Sequence, residues 1–206
     1  MALGRLGVWY STDKLNGGQL ADLVRAVEGN GYSAFWYPES RGYESMSLAA
    51  YLLSKSDRLT IGSSIANIYA RDSFTARRAT ISLNDWYGRR FILGVGVSHI
   101  PMVEGVRGHR YDKPIAAMRA YLEGLARDGG GDLPVVVAAL GPKMLALSAE
   151  MSRGAVPYNV TPEHTARAAA ILGPNRILAV EQKVTIETDP IKARALGRKE
   201  LARYMV

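Results

Sequence analysis

Short apolar runs alternate with amphipathic segments along the whole chain. Between positions 59 and 97, an apolar run, a polar loop ending in Arg71-Asp72, an amphipathic stretch and a second apolar run follow one another. This order predicts a parallel βα unit, and the unit recurs along the chain. Seven apolar runs are predicted strands: Leu6–Tyr10, Ala34–Pro38, Leu59–Ser63, Phe91–Val97, Val135–Ala139, Val156–Val160 and Ile177–Ile186.

Helix signals lie between these strands. After the first strand, apolar residues recur at helical spacing on one face: Leu20, Leu23, Val24 and Val27. Gly29 to Gly31 predicts the end of that helix. Thr161-Pro162 and Asp189-Pro190 each place a capping side chain before a proline, which predicts two further helix starts. The glycine-rich stretch Asp128 to Asp132 is the one connection expected to be flexible, and it is too short to separate domains.

The alternation of elements predicts the fold class. Strands that are apolar on both faces and alternate with helices indicate an α/β protein with a parallel sheet covered by helices. A barrel and a doubly wound sheet both satisfy this pattern. Residues Tyr10 to Gly18 read YSTDKLNGG, not the G-x-G-x-x-G fingerprint of a dinucleotide-binding sheet, which favours the barrel.

Composition narrows the class of protein. The 206 residues suffice for a single domain, and 48% hydrophobic and 22% charged residues are ordinary globular usage. Because no apolar run approaches the roughly 18 residues that span a bilayer and no signal-peptide pattern is present, we expect a cytoplasmic protein. The absence of cysteine excludes disulfides and thiolate catalysis. No paired histidine and carboxylate spacing indicates a metal site.

The net charge of +7 raises the possibility of nucleic-acid binding. The basic residues are spread over helical segments, however, which is typical of solvated helix faces. One smaller basic region follows a strand end: Arg107, His109, Arg110 and Lys113. There a phosphorylated small molecule is a better partner than a polymer, so we expect no nucleic acid and no membrane as partners.

Four segments resemble a known family. They are WYPES at Trp36–Ser40, TIGSSIANIYARD at Thr60–Asp72, GRRFILGVGVSH at Gly88–His99 and ALGPKM at Ala139–Met144. In this order they are similar to the bacterial luciferase-like monooxygenase superfamily, and most to its actinobacterial branch of oxidoreductases that use the deazaflavin coenzyme F-420. The resemblance implies a TIM (β/α)8-type barrel. The expected number of eight βα units comes from the resemblance alone, since the hydrophobic pattern does not give it.

The chain departs from that family at its C-terminal end. After a predicted seventh helix at Asp189–Met205, no sequence follows for an eighth strand and helix. We therefore expect a barrel truncated after the seventh βα unit, in a single domain over residues 1–206. A missing natural C-terminus, a shortened gene, or another chain that supplies the closing edge would each account for this. An open sheet exposes unpaired backbone on its first and last strands. This predicts a homodimer or larger homo-oligomer in which neighbouring copies cover the edges.

The resemblance implies cofactor contacts at two loops. Ser63, Ser64 and Ile65 follow the third strand, where relatives carry a non-proline cis peptide against the flavin or deazaflavin ring, which we place at Ser64–Ile65. The loop from Ala139 through Gly141, Pro142 and Lys143 follows the fifth strand and opens a helix. Because glycine allows close approach and a helix N-terminus favours anions, this loop is expected to hold a cofactor phosphate. Plain turn chemistry is the alternative for each loop.

Candidate proton-transfer groups follow the second and fourth strands. Glu39 and Ser40 stand where relatives carry an acidic residue and a histidine; the serine has no adjacent base in the sequence and is a poor proton donor. His99 follows Ser98 at the end of the fourth strand, where an imidazole can exchange a proton near neutral pH. We therefore predict His99, Glu39 and Ser40 as catalytic residues and Ser98 as a cofactor contact. Glu39 as a surface carboxylate is the alternative.

Other polar and aromatic residues have less specific interpretations. Trp9, Tyr10, Trp36 and Tyr37 are expected in the core, and His109 and His164 at the surface or in structural roles. Tyr158 and Asn159, at the end of the sixth strand, are candidates for the pocket. Arg71 and Asp72 are candidates for a local ion pair that fixes the third loop, or for a ligand contact.

The sequence therefore favours an oxidoreductase in which coenzyme F-420 performs hydride transfer to or from a small organic substrate. An FMN-dependent luciferase-like monooxygenase is the nearest alternative. A non-catalytic flavin-binding protein with a shortened barrel is a second one, and the serine at position 40 favours it.

Overall fold

The computed structural model describes residues 3–202. The strands are β1 Gly7–Trp9, β2 Ala34–Tyr37, β3 Thr60–Ser63, β4 Ala66–Asn67, β5 Phe91–Gly96, β6 Val135–Val137, β7 Gly154–Ala155 and β8 Ile177–Leu178. The α-helices are α1 Gly17–Gly29, α2 Ser45–Ser54, α3 Ser73–Trp86, α4 Pro114–Ala126, α5 Pro142–Met151, α6 Pro162–Leu172 and α7 Pro190–Ala202. A π-helix spans Pro101–Val106 and a 3-10 helix spans Arg127–Asp132.

The strands form one parallel sheet in the order β1-β2-β3-β5-β6-β7-β8, with β4 paired to β5. Every pairing is parallel, and the registers run from Gly7 opposite Ala34 to Ala155 opposite Leu178. Within the described residues β1 and β8 do not pair, so the sheet is a half-barrel with surrounding helices. The prediction of a TIM-type barrel that stops after its seventh βα unit is confirmed. No helix between residues 3 and 202 is long and apolar enough to cross a bilayer.

The first helix illustrates how local sequence sets an element. The Asn16 side chain accepts a hydrogen bond from the backbone N–H of Gln19, and the Gln19 side chain accepts one from the N–H of Asn16, which completes a capping box. Leu20, Val24 and Val27 lie on the buried face. The helix ends at Gly29, as the sequence predicts.

Two apolar cores lie on opposite faces of the sheet. The larger one packs the outward side chains of the strands, such as Phe35 and Tyr37, against the helices. The smaller one fills the concave interior. It contains Ala34, Trp36, Ile92, Val136 and Val156, with Trp9, Ile65, Ile177 and Ala179 packed against it. Because side chains alternate between the faces along a strand, these two sets fix which residues beyond each strand point into the interior.

The sixth predicted strand is displaced along the chain, and the seventh begins where predicted but is shorter. The sixth lies at Gly154–Ala155 instead of Val156–Val160, and a Cβ on Gly154 would lie 1.9 Å from the carbonyl oxygen of Ile177. Only glycine allows the two backbones to approach so closely. The seventh predicted strand, Ile177–Ile186, is a strand only at Ile177–Leu178, with one further bridge between Tyr158 and Glu181. Beyond Glu181 no described strand continues the ladder.

Helix boundaries agree better with the sequence. Thr161 caps α6 and Asp189 accepts backbone hydrogen bonds at the start of α7, as predicted. None of the residues of α7 within the described range is buried. The last predicted residues of this helix, 203–205, lie outside the described residues. The stretch Asp128–Asp132, expected to be flexible, belongs to the 3-10 helix, and the buried Arg77 guanidinium lies 3.0 Å from the Asp128 carboxylate.

Candidate active site at the mouth of the half-barrel

The loops after the carboxyl ends of the strands form the mouth of the half-barrel. The peptide bond between Ser64 and Ile65 is cis, at the position predicted. The Trp9 indole N–H donates to the carbonyl oxygen of Ser64 over 3.4 Å. Ile65 packs into the inner core, and a Cβ on Gly96 would lie 2.5 Å from its side chain. The glycine therefore makes room for Ile65 in the floor of the mouth.

Ser63 has its hydrogen bonds inside the sheet. Its buried hydroxyl donates to the carbonyl oxygen of Gly94 over 2.8 Å and accepts from the Gly94 N–H over 3.0 Å. Of the three residues expected to contact a cofactor after the third strand, Ser63 thus faces β5, whereas Ser64 and Ile65 lie at the mouth.

The loop after β6 leads into the N-terminus of α5. Ala139 is buried, whereas Leu140, Gly141, Pro142 and Lys143 are exposed. Gly141 is the N-cap residue and no side chain caps the helix; a Cβ on Gly141 would meet no atom within 4 Å. His164 Nε2 lies 2.7 Å from the Leu140 carbonyl oxygen, so this histidine has the structural role expected for it. Pro142 has no N–H and the Met144 N–H donates to the Gly141 carbonyl oxygen over 3.1 Å, so the N–H groups of Gly141 and Lys143 are left without a described partner at the start of α5.

His99 and Ser98 follow β5. Ser98 has a positive φ of 57°. The His99 carbonyl oxygen accepts from the N–H groups of Met102 and Val103, which starts the π-helix, while its side chain is exposed. The assignment of His99 as a catalytic residue stays a prediction, and its imidazole is exposed to solvent.

Glu39 comes two residues after Tyr37, which packs in the outer core, so alternation places its side chain on the outer face of the sheet. Its side chain is 4% exposed and pairs with Arg71, whose Nη1 lies 3.0 Å from Glu39 Oε2 and whose Nη2 contacts Oε1. The backbone N–H groups of Asn67 and Ser45 also donate to it, over 2.8 Å and 3.3 Å. Arg107 is 4.0 Å away. The alternative of a surface carboxylate is wrong, because Glu39 is buried, and its catalytic role stays a prediction.

Arg71 joins this cluster to the start of α2. Its guanidinium lies 2.8 Å from Glu44, not beside Asp72. The expected local pair of Arg71 with Asp72 is therefore wrong, because Asp72 caps α3 instead. Burial by itself raises the pKa of Glu44, but the N–H groups of Met46 and Ser47 and the Arg71 cation bring it below its usual range. A cavity of about 360 Å³ beside the cluster is lined by Glu39, Glu44, Met46, Ala70, Arg71, Thr75, Ala79 and Arg107.

Ser40 has a partner that the sequence did not reveal. Its hydroxyl donates to the Asp13 carboxylate, from the loop after β1, and it accepts from the Arg41 N–H over 2.6 Å. The expectation that Ser40 has no adjacent base is thus wrong. It failed because Asp13 is 27 positions away in sequence.

The basic region after β5 has local partners. Arg110 lies 3.5 Å from Asp112, and the His109 ring lies 6.1 Å from the Tyr69 ring. Of the predicted core aromatics, Trp36 and Tyr37 are buried, Trp9 is half-buried and Tyr10 is 48% exposed. Tyr10 is therefore not a core residue, since it lies in the loop just beyond β1.

The structure adds Glu181 and Lys183 to the mouth. Both follow β8, in register with the inward-facing Ile177 and Ala179. The Lys183 ammonium lies 5.3 Å from the centroid of the Tyr158 ring and 5.9 Å from that of Trp9, so it reaches across the open side of the half-barrel. Tyr158 thus lies beside Lys183, and its place in the pocket stays a prediction. Alternation along the run Ile177, Ala179, Glu181, Lys183 was the signal that sequence reasoning passed over.

Comparisons with known proteins agree with this fold. Residues 1–127 match the family model for luciferase-like monooxygenases. A protein of Mycobacterium tuberculosis named as a coenzyme F-420-dependent oxidoreductase is 29% identical over 199 residues, which cover 79% of this chain and 56% of that protein. The chain spans about half the length of the curated relatives it matches.

Solved structures share the fold at lower identity. An F-420-dependent secondary alcohol dehydrogenase, in complex with an F-420–acetone adduct, superimposes with a TM-score of 0.77 at 14% identity, over 96% of this chain and 74% of that one. The FMN-bound oxygenating constituent of a diketocamphane monooxygenase from Pseudomonas putida gives 0.69 at 11% identity, over 94% and 71%. The family model covers more than half of the chain, so this protein belongs to the luciferase-like monooxygenase family.

Proposed function

We propose that this protein is an oxidoreductase that binds coenzyme F-420 in the mouth of the half-barrel and catalyses hydride transfer with a small organic substrate. The observation that carries the proposal is the uncapped N-terminus of α5, which opens beside the apolar interior. The mycobacterial relative named for F-420 supports the choice of coenzyme.

The described residues of the mouth fit a planar ring with an anionic tail. The floor is apolar and aromatic, with Trp36, Ile65 and Trp9. Within the described chain, the buried Thr12 Oγ1 and Glu181 Oε1 have no hydrogen-bond partner. A buried polar atom without a partner costs free energy that a bound ligand can recover.

Different loops of the protein would hold the phosphate and the ring of the coenzyme. Backbone N–H groups at Gly141 and Lys143, with the Lys143 side chain, would bind the phosphate, since a helix N-terminus attracts anions; Pro142 fixes the first turn. Ser64, Ile65 and Ser98 would line the ring, whereas Ala139, also predicted as a cofactor contact, is buried in the larger core on the outward face of the sheet. When bound, the coenzyme supplies the hydride-accepting carbon, and the protein orients the substrate and excludes water.

An FMN-dependent monooxygenase is the second candidate, because an FMN-bound structure shares the fold. The two are separated by fluorescence titration of the purified protein with coenzyme F-420 and with FMN. We expect saturable binding of F-420 and weaker binding of FMN. The reverse order would favour the monooxygenase, and absence of binding by either would refute the proposal. Tight binding without turnover of any substrate would favour the non-catalytic flavin-binding alternative.

We also propose that the chain forms homo-oligomers. β1 and β8 are unpaired edges within the described residues, and unpaired edges promote association. Apolar side chains beyond β8 are exposed, Val184 by 82% and Ile186 fully. Light scattering at micromolar concentration should give at least twice the monomer mass, and Ile186→Lys should lower it. A cooperative monomer would contradict the proposal.

A further inference from the structure

Glu181 is a half-buried residue in the mouth whose buried Oε1 has no described hydrogen-bond partner. The backbone fixes its direction. The N–H groups of Ile177, Ala179 and Glu181 donate in turn to the carbonyl oxygens of Arg153, Ala155 and Pro157, over 2.8 to 3.0 Å. The ladder is therefore regular through Glu181, and its side chain projects on the same face as Ile177 and Ala179, into the interior.

The groups around Glu181 bring the pKa of its carboxyl group near neutral pH. Burial raises the pKa of Glu181 to about 7, and the Lys183 ammonium on the same strand opposes this rise. Lys183 is shared, because its Nζ lies 2.9 Å from Glu200 of α7 and packs on the rings of Tyr158 and Trp9. Among residues 3–202, the charged and titratable groups that face this part of the mouth include Lys183 from the strand itself, Tyr158 from the chain after β7, and Glu200 through Lys183.

We propose that Glu181 is a catalytic residue that exchanges the proton accompanying hydride transfer. This rests on the proposed function. As a substrate C–H bond breaks, the hydride takes both electrons of that bond to the ring carbon. The O–H or N–H bond on the neighbouring substrate atom then breaks, its electron pair forms the new double bond, and the proton goes to Glu181 Oε1. In the reverse direction the Glu181 carboxyl group returns that proton.

A group in this role must be reachable by the ligand and must change charge near neutral pH. Glu39, the other carboxylate expected to act, is held by Arg71 and two backbone N–H groups on the opposite face of the sheet. His99 is exposed to solvent. Glu181 combines a buried, unpartnered oxygen with a place in the interior.

The test begins without coenzyme. Protein labelled with carboxyl-carbon-13 glutamate is titrated by NMR as wild type, Glu181→Gln and Glu123→Gln, the last being an exposed carboxylate on α4 as control. We expect one glutamate signal that titrates near pH 7 in wild type and Glu123→Gln and is missing in Glu181→Gln. Lys183→Met should move its midpoint to higher pH, which supplies a second variant if Glu181→Gln does not fold.

The second stage adds coenzyme F-420 at pH 6, 7 and 8. The affinity for F-420 should change with pH in wild type and in Glu123→Gln. The change should be about tenfold for each pH unit by which bound coenzyme moves the titration midpoint of Glu181. In Glu181→Gln the affinity should not change with pH. If no glutamate titrates between pH 6 and 8, or if bound coenzyme leaves the signal unmoved, the inference is wrong. If F-420 fails to bind at every pH, the proposed function is refuted instead. The titration without coenzyme still reports on Glu181 in that case, so the two failures can be told apart.

Discussion

Glu39 and Glu181 both follow a strand of the parallel sheet at its carboxyl end, on opposite faces. Glu39 points outward and receives a two-pronged contact from Arg71 and two backbone hydrogen bonds. Glu181 points inward, with Lys183 nearby and one oxygen without a described partner. The first carboxylate is paired within the fold, and the second is left with capacity for a ligand.

The difference shows how one residue type takes two roles on one sheet edge. A buried carboxylate with a matched cation and N–H donors has its hydrogen bonds satisfied and fixes loops in place. A buried carboxyl group that lacks such donors holds its proton more tightly and can release it near neutral pH. We therefore expect changes at Glu39 to affect stability and changes at Glu181 to affect proton exchange.

The largest effect is expected from breaking the outer pair. Arg71→Met leaves Glu39 buried without its cation, which should lower the free energy of unfolding by about 3–5 kcal/mol. Chemical denaturation at neutral pH measures this. The double variant Glu39→Gln, Arg71→Met should recover much of the loss, whereas Arg25→Met, which breaks an exposed pair with Asp22, should cost less than about 1 kcal/mol. Equal losses in Arg71→Met and Arg25→Met would refute the structural role of the pair.

The inward face is tested by closing the anion site proposed at the start of α5. Gly141→Val should weaken F-420 binding by about 1–3 kcal/mol, because the branched side chain hinders approach to the N–H groups of α5. A Cβ at Gly141 meets no protein atom within 4 Å, and its φ of −81° suits valine, so folding should survive. Gly29→Val, at the end of α1, is the matched control. Unchanged affinity in Gly141→Val would show that the phosphate does not bind at this loop.

The dependence of stability on pH should report on Glu181. Because the pKa of Glu181 rises from its ordinary 4.5 to about 7 on folding, its contribution is fully present below pH 4.5 and is lost as pH rises to about 7. Full burial would make this about 3 kcal/mol, and partial exposure reduces it to about 1–2 kcal/mol. The free energy of unfolding of Glu181→Gln should therefore rise by about 1–2 kcal/mol relative to that of wild type between pH 4 and pH 8. A difference that is constant with pH would contradict this.

The smallest effect is expected at His99. If the proton passes through Glu181, His99→Gln should change the rate of coenzyme reduction by less than about threefold, measured by stopped flow across pH. A proton route through the imidazole would instead cost about 10²–10⁴-fold. The larger loss, with the pH profile displaced, would return the catalytic role to His99.

Much of the fold could be read from local sequence. The apolar runs predicted the order of seven strands, and side-chain caps at Thr161 and Asp189 predicted where α6 and α7 begin. These signals are local, because caps and alternation depend on neighbours a few positions away. The resemblance to relatives located the cis peptide bond at Ser64–Ile65.

Only the tertiary structure decided the partners and faces of the site residues. The contact of Ser40 with Asp13 joins positions 27 apart, and that of Glu39 with Arg71 joins positions 32 apart. The close approach at Gly154 moved β7 two residues ahead of its predicted start. Hydrophobic patterning determined that strands and helices alternate here, because burial leaves a periodic trace in sequence. Which carboxylate meets a cation depends on strand register and loop packing, and neither leaves such a trace.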